Sequence, residues 1–412
     1  MKTLFNDNVN NLEAYIMFRI KEKVNSITPE LVAKNRAPIS LSMGAPTKNP
    51  PEFVINALKE ALSEKGVHTY SSPKGEEYYR KAIAQKMESE YNVKLDPATE
   101  IYSLIGSKEG IANLIRALIN PKANEEEKDI IMIPDPGYAS YKEMVKVSGG
   151  LPFSIPLTKE NNYMPEPEEI LEQVKISGLN PEKVKAFLIN YPNNPLGVCA
   201  NMDYLKKVVD FCKKHEILLI SDAAYAELYF KPELKPASIL EIEGAKDVSV
   251  EFFSFSKPYA MTGWRLGWIC GNKEIIRNFG KLKTTIDSGI FKALQIAAAK
   301  ILNSKEGDEY IKQANIEFQE KQRIFIEGLK ELGWENLEIP DATFYLWLPI
   351  PPRYKTSMDF TNDLMHKSGI VAAPGDAFGK YGEGYFRASI VCTEEEIHEV
   401  IRRMKEDGFY FN

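Results

Sequence analysis

The stretch "SFSKPYAMTGWRLGW", Ser254 to Trp268, decides how the rest of the chain is read. Lys257 follows the apolar run "VEFFSFS", which reads as a buried strand, and Pro258 then ends strand pairing because it has no N–H to donate. A lysine in that position costs free energy unless its charge is managed. Burial and a nearby cation lower an amine's pKa and make it a nucleophile able to form a Schiff base. Arg265 is the candidate for that cation, or for a phosphate ligand. The plainer reading is a strand end with a turn after it.

Outward from this stretch, the chain alternates from about residue 100 onward. The runs "IYSLIG", "DIIMIP", "PFSIPL", "VKAFLIN", "ILLISD" and "VEFFSFS" look like buried strands. Helical patterns such as "KEGIANLIRALI" and "YLKKVVDFCKKH" lie between most of them. Strand, crossover helix, strand predicts an α/β domain with a mainly parallel sheet covered on both faces. Ligands of such sheets sit at the carboxyl ends of the strands. After residue 290 the texture becomes α+β: "GIFKALQIAAAKIL", then "DEYIKQANIEFQEKQRIFIEGLKELG", then "ATFYLWLPI", "GIVAAPG" and "YFRASIV", closed by "EEEIHEVIRRMKEDG". A chain of 412 residues is too long for one small core. The expected division is a large domain at 46–290 and a smaller one built from 1–45 and 291–412.

Composition narrows the function. The net charge of −6 and the absence of a dense Lys/Arg tract leave no electrostatic footprint for nucleic acid. No apolar run approaches the ~18 residues that would span a membrane. "MKTLFNDNVNNLEAY" lacks the apolar core of a signal peptide. The cysteines, Cys199, Cys212, Cys270 and Cys392, form no C-x-x-C pair, so no metal site is expected. They read as reduced, mostly buried thiols of a cytoplasmic protein.

Several short segments then offer chemistry, each with a plain alternative. Asp222 of "SDAAYAELY" follows the run "ILLI", with Tyr225 three residues on. It is either a helix-capping or loop aspartate, or a buried carboxylate that needs a cation. "LIGSKEGIANL" runs through Gly106 and Ser107 into a helix, as an ordinary helix start or as one whose N–H groups face an anion. "NYPNNPLG" is a stiff loop after a strand, and Asn194 could aim its amide into a site. Tyr138 of "PGYASY" is a core tyrosine or a ring that stacks on a flat ligand. Arg387 of "GEGYFRASIV" lies in an apolar strand and needs a carboxylate, from the protein or from a substrate. No G-x-G-x-x-G follows an early strand, which argues against a nicotinamide dehydrogenase.

A pyridoxal-phosphate site needs a Schiff-base lysine and an acidic partner for the pyridinium. Taken in order, these segments resemble the fold-type I, class I/II aminotransferases over nearly the whole chain. That resemblance implies an aspartate-aminotransferase-like fold, with a seven-stranded sheet in the large domain, and pyridoxal 5′-phosphate as cofactor. It makes Lys257 the Schiff-base lysine and acid/base. It makes Ser254 and Arg265, with Ser107 and Lys108, ligands of the cofactor phosphate. Asp222 would hold the pyridine nitrogen, Tyr225 and Asn194 the 3′-oxygen, and Tyr138 would stack on the ring. Arg387 would clamp the substrate α-carboxylate, with Asn194 and the backbone of Gly44 beside it. "TYSSPKGEEYYR" matches the segment whose tyrosine, here Tyr70, reaches the phosphate of the other subunit, so a homodimer is implied. Two departures stand out: Leu196 replaces the threonine of N-P-T-G, and "GAPT" lacks the aspartate of G-x-P-D.

Within the family, "GSKEG", "TIDSGIF", "ATFYLW" and "PGDAFGKYGEGYFR" are similar to the LL-diaminopimelate aminotransferases. "LEAYIMFRI" resembles their N-terminal segment and would bring Tyr15 to the substrate. The implied reaction passes an amino group between LL-diaminopimelate and 2-oxoglutarate, in lysine biosynthesis. Aspartate, alanine and aromatic amino acids are the alternative donors. A lyase or decarboxylase using the same lysine, or a regulator on the same scaffold, are the other readings.

Overall fold

The computed structural model describes residues 4–122, 124–337 and 339–412. The chain opens with α1 (Asp7–Asn10), α2 (Ile16–Ala33), β1 (Ile39–Ser40), α3 (Glu52–Ala61) and α4 (Glu77–Tyr91). The alternating region follows as β2 (Ile101–Leu104), α5 (Ser107–Leu118), β3 (Ile130–Asp135), α6 (Ser140–Val147), β4 (Leu151–Pro156), α7 (Pro167–Ile176), β5 (Val184–Asn190), α8 (Met202–His215), β6 (Leu218–Asp222), α9 (Ala245–Val248), β7 (Ser249–Ser254), β8 (Gly267–Gly271) and α10 (Lys273–Lys283). The remainder is α11 (Lys292–Leu302), α12 (Lys305–Glu331), β9 (Tyr345–Pro349), α13 (Ser357–Ser368), β10 (Ile370–Val371), β11 (Ala373–Pro374), β12 (Tyr385–Ser389) and α14 (Glu394–Glu406).

The six apolar runs become β2 to β7, and they share one seven-stranded sheet in the order β2-β8-β7-β6-β5-β3-β4. Only β8 runs against its neighbours; β3 to β7 pair in parallel. The strands β2, β3, β6, β7 and β8 are buried throughout, as a sheet with both faces covered requires. This is the expected α/β architecture.

The seventh strand escaped the sequence reading. It begins at Gly267, inside the opening stretch, where a turn was expected. Strand pairing in β7 also stops at Ser254, earlier than the expected stop at Pro258, so Lys257 stands in the turn between two antiparallel strands. The chain doubles back there because the rings pack: Phe253 and Trp268 are cross-strand partners, and their rings stack at 5.0 Å. Burial of a side chain such as Phe253 contributes about 1.5–3 kcal/mol.

A second core lies apart from the large one. Phe325, Leu329 and Trp334 pack there against β9 and β12 through Leu346, Leu348, Phe386 and Ala388. Ile39 and Leu41 join this core, and β1 pairs with β10 in parallel. The small antiparallel sheet has the order β11-β12-β9 and sets Arg387 opposite Trp347 on one side and Ala373 on the other. α11 packs across α3 and α4, and its Ile301 and Leu302 enter the large core. Among the described residues, no helix is long and apolar enough to cross a membrane.

Candidate active site

Parallel strands end on the same edge of a sheet, so the residues that follow them collect there. Asn190 closes β5, Asp222 closes β6 and Ser254 closes β7. The turn from β2 into α5 arrives at the same edge, and the second core brings Arg387 and Tyr345 over it. Together they enclose a cavity of about 590 Å³. Tyr15, Gly44, Ser107, Lys108, Tyr138, Asn194, Asp222, Tyr225, Ser254, Lys257, Arg265 and Arg387 all line it. Of the residues expected to hold cofactor or substrate, Tyr70 alone does not; it is 86% exposed.

Lys257 Nζ donates to the carbonyl oxygen of Gly44 at 2.6 Å. Its pKa is pulled down to about 8, chiefly by burial, then by the charges of Arg387 and Arg265, against the pull of Asp222. Arg265 was the expected cation, but Arg387 contributes more. Asp222 lies below in the same cavity. Its carboxylate accepts from Tyr141 Oη at 2.6 Å and from the Ala224 N–H at 3.2 Å. Burial raises its pKa to about 6 despite those bonds and the Lys257 charge. No Lys, Arg or His among the described residues forms an ion pair with it.

Arg387 is 4% exposed. Its Nη1 donates to Asn194 Oδ1 at 2.8 Å and its Nη2 to the carbonyl oxygen of Ser42 at 2.5 Å. Nε has no partner. The guanidinium lies over the ring of Tyr345 at 4.3 Å and the ring of Phe378 at 4.7 Å. No carboxylate among the described residues pairs with it. The question left open by the sequence is therefore answered on the protein side: the described residues supply no acidic partner. Asn194 is held in turn, its N–H donating to Asn190 Oδ1 at 3.0 Å. Because its Oδ1 accepts from Arg387, its amide nitrogen is left for another acceptor.

Gly106 precedes α5 with φ +98°, a conformation that favours glycine. A Cβ there would stand 2.3 Å from Arg265 Nη2, so the guanidinium lies against the start of the helix. Arg265 has φ +57° itself, and among the described residues its side chain makes one hydrogen bond, from Nη1 to the Thr262 carbonyl at 2.8 Å. Ser107 opens α5. The ammonium of Lys108 points elsewhere, over the rings of Tyr15 at 5.0 Å and Tyr138 at 5.8 Å. Lys108 therefore offers the helix start its backbone N–H while its side chain serves the outer cavity. Partial burial, with Tyr138 beside it, pushes the Tyr15 hydroxyl up to about 12.

Leu196 turns into the large core, 5% exposed, away from the cavity. Thr47, where the family aspartate would stand, donates to the Val391 carbonyl at 2.9 Å. Two tyrosines of the cavity were missed by sequence reasoning. Tyr141 is the second tyrosine of "PGYASY", and Tyr345 is the tyrosine of "ATFYLW". Both stand in recognisable motifs, but their contacts with Asp222 and Tyr225 span 81 and 120 positions along the chain.

The family model for aminotransferase class I and II matches residues 36–404. The chain belongs to that family. A relative named LL-diaminopimelate aminotransferase, from Halothermothrix orenii, is 39% identical over 98% of this chain and 99% of its own length. The substrate-bound BacF structure from Bacillus subtilis is 31% identical, with a TM-score of 0.90 over 100% of this chain and 99% of that one. A Thermus thermophilus aspartate aminotransferase double mutant, at 24% identity and TM-score 0.86 over 99% and 100% of the two chains, shares the fold.

This aminotransferase therefore uses pyridoxal 5′-phosphate, and the residues present fit that group. The phosphate needs cations and N–H donors: Arg265 has a largely free guanidinium against the N-terminus of α5, with Ser254 and Ser107 beside it in the cavity wall. A protonated pyridine nitrogen needs a carboxylate: Asp222 is buried with neutral partners only. An aldehyde needs an amine that gives up its proton readily, and burial with the charges of Arg387 and Arg265 pulls the Lys257 pKa down to about 8.

Proposed function

We propose that this enzyme exchanges the amino group of LL-2,6-diaminopimelate with 2-oxoglutarate, a step of lysine biosynthesis. The observation that carries an amino-acid substrate is Arg387, a buried cation whose protein partners are all neutral. A planar α-carboxylate takes two parallel hydrogen bonds from such a fork. The choice of donor rests on relatives of that name at 39% and 40% identity over nearly the full chain.

In this reading the bound cofactor supplies an electron sink for the pair released at the substrate α-carbon. Lys257 Nζ would take the α-proton and return it two atoms further along, at the cofactor carbon that had carried the aldehyde, so one amine serves as base and then as acid. Asp222 holds the proton on the pyridine nitrogen. Tyr225 Oη and the amide of Asn194 donate to the cofactor's 3′-oxygen. Tyr138 lies against the ring. Gly44 offers its carbonyl to Lys257 and its backbone to the substrate. Arg387 fixes the carboxylate so that the α-hydrogen faces Lys257. Tyr15 and Lys108 close the outer cavity, where the rest of the substrate would lie.

The working unit in this reading is a homodimer in the cytoplasm, with Tyr70 serving the partner's phosphate site. Its 86% exposure and its absence from its own cavity wall support that role. The exposed Phe291, which stacks on His68 two positions before Tyr70, suits the same face. Two separate cores support a large unit of 46–290, joined by α11, and a small unit of 1–45 with the rest of 291–412. Free cysteines suit a reducing compartment.

The deciding experiment is a panel of donors with 2-oxoglutarate: LL-diaminopimelate, aspartate, alanine and aromatic amino acids. The highest kcat/KM is expected for LL-diaminopimelate. A clear preference for any other donor overturns the substrate. Elimination products in place of a new amino acid overturn transfer itself.

A further inference from the structure

Tyr345 touches three of the groups just described, and none of its roles is assigned. It is 1% exposed, and it lines the cavity. Its Oη lies 2.9 Å from Tyr225 Oη. Its ring lies under the Arg387 guanidinium at 4.3 Å. A Cβ on Gly44 would stand 2.1 Å from its Oη, so the hydroxyl presses on the backbone whose carbonyl accepts from Lys257.

The two hydroxyls share one hydrogen bond, and either atom can donate in it. The choice is settled once Tyr225 has a second acceptor. If Tyr225 gives its proton to the cofactor's 3′-oxygen, only Tyr345 can donate between them. A hydroxyl that accepts one hydrogen bond donates the next more strongly, because chained bonds polarise one another in a low dielectric. Tyr345 also has a second, separate hold on the site through its ring, whose face attracts the guanidinium. The residue thus joins the group that reads the carboxylate to the group that faces the cofactor oxygen.

We propose that Tyr345 is a positioning residue: its hydroxyl makes Tyr225 a stronger donor to the cofactor oxygen, and its ring holds Arg387 in place for the carboxylate. The inference rests on the reading that Tyr225 serves the 3′-oxygen. The two functions divide between atoms. Tyr345→Phe removes the hydroxyl and keeps the ring. Tyr345→Leu removes both.

The test is a visible-absorbance pH titration of the purified holoenzyme, with substrate carboxylate binding read separately from the Kd of an unreactive carboxylate analogue. A stronger donor at the 3′-oxygen stabilises its anion and lowers the absorbance pKa. Tyr345→Phe is therefore expected to raise that pKa by a few tenths of a unit and leave the analogue's Kd unchanged. Tyr345→Leu is expected to raise the pKa and weaken the analogue about tenfold, the size of one desolvated cation–ring contact. Tyr225→Phe should raise the pKa further than either. If Tyr225→Phe shifts it and Tyr345→Phe does not, the inference about the hydroxyl is overturned while the reading of Tyr225 stands. If Tyr225→Phe does not shift it, that reading fails and takes the inference with it. Equal weakening of the analogue in Tyr345→Phe and Tyr345→Leu overturns the role of the ring.

Discussion

Arg387 and Asn194 lie 193 positions apart in the sequence, one on β12 and the other in a loop of the large sheet, and meet through a 2.8 Å hydrogen bond from Nη1 to Oδ1. That bond ties a residue of β12 to the loop after β5, so in the proposed reading the carboxylate clamp is registered against the group that would face the cofactor. It also fixes which end of the Asn194 amide points into the cavity.

Arg387→Ala removes both forks of the carboxylate clamp. At about 1.5–3 kcal/mol for each charged hydrogen bond, kcat/KM should fall by about 10²–10⁴-fold. Arg387→Lys keeps the charge without the fork and should recover only part of the loss. Steady-state kinetics with the best donor checks this, and a variant within a few-fold of the parent would remove Arg387 from the substrate site.

Lys257→Ala should abolish turnover while the folded protein still takes up the cofactor, measured by equilibrium dialysis. The free amine should also show its depressed pKa. With a folded-state pKa near 8, below its ordinary 10.5, the apoprotein's amine becomes reactive as the pH rises through 8. Labelling of Lys257 by a small amine-reactive reagent, followed by mass spectrometry, should level off above that point. Arg387→Ala or Arg265→Ala should move the inflection upward, since both cations lower it.

Asp222 predicts opposite effects on the apoprotein and on the loaded enzyme. Its folded-state pKa, about 6, exceeds its ordinary 3.8. An acid shifted this way contributes stability below about pH 4 that is lost as the pH rises through 6, roughly 3 kcal/mol in all. Asp222→Asn removes that loss. Relative to the parent, the apo variant should gain thermal stability between pH 4 and pH 7. The same substitution should weaken cofactor binding and cut the rate by orders of magnitude. An unchanged cofactor Kd would remove the pyridinium role.

Gly106→Ala places a methyl group against Arg265 and forces φ +98° on alanine. Strain at such a position costs of order 1–3 kcal/mol. The cofactor's affinity should fall by about tenfold or more, since the guanidinium must move from the helix start. Inorganic phosphate, used as a competitor for cofactor uptake, should weaken in parallel. If cofactor and phosphate both bind as before, the cradle lies elsewhere.

Mixing supplies a test of the shared site. Tyr70→Ala and Lys257→Ala should each be weak or inactive alone. After co-refolding, mixed dimers contain one site with both native residues, and activity should reappear. Continued inactivity of a mixture shown to contain mixed dimers would rule out a role for Tyr70 across subunits.

Much of the large unit was legible because a doubly covered sheet needs apolar strands, and β2 to β7 all appear as apolar runs. β8 was not legible. Its five residues carry a glycine at each end and sit beside the polar turn that holds Lys257, so local pattern favoured a turn. Its pairing comes from Phe253 and Trp268, a cross-strand contact that no window on one segment contains. The site residues that belong to short motifs were readable from those motifs. Tyr345 was not, because its partners Tyr225, Arg387 and Gly44 come from three other segments. The acidic partner of Arg387 could not be settled from sequence for the same reason: the lack of a partner is a property of the folded neighbourhood.

One wall of the cavity comes from α2, through Met17, Ile20, Lys21 and Val24. Leu31 is the one residue of that helix that is buried. The wall therefore borrows little from the core, and substitutions on it leave the cofactor's cradle and the sheet untouched. Diversification of substrate range has its least constrained route there, since a lineage can recut this helix face without renegotiating the machinery that carries out the chemistry.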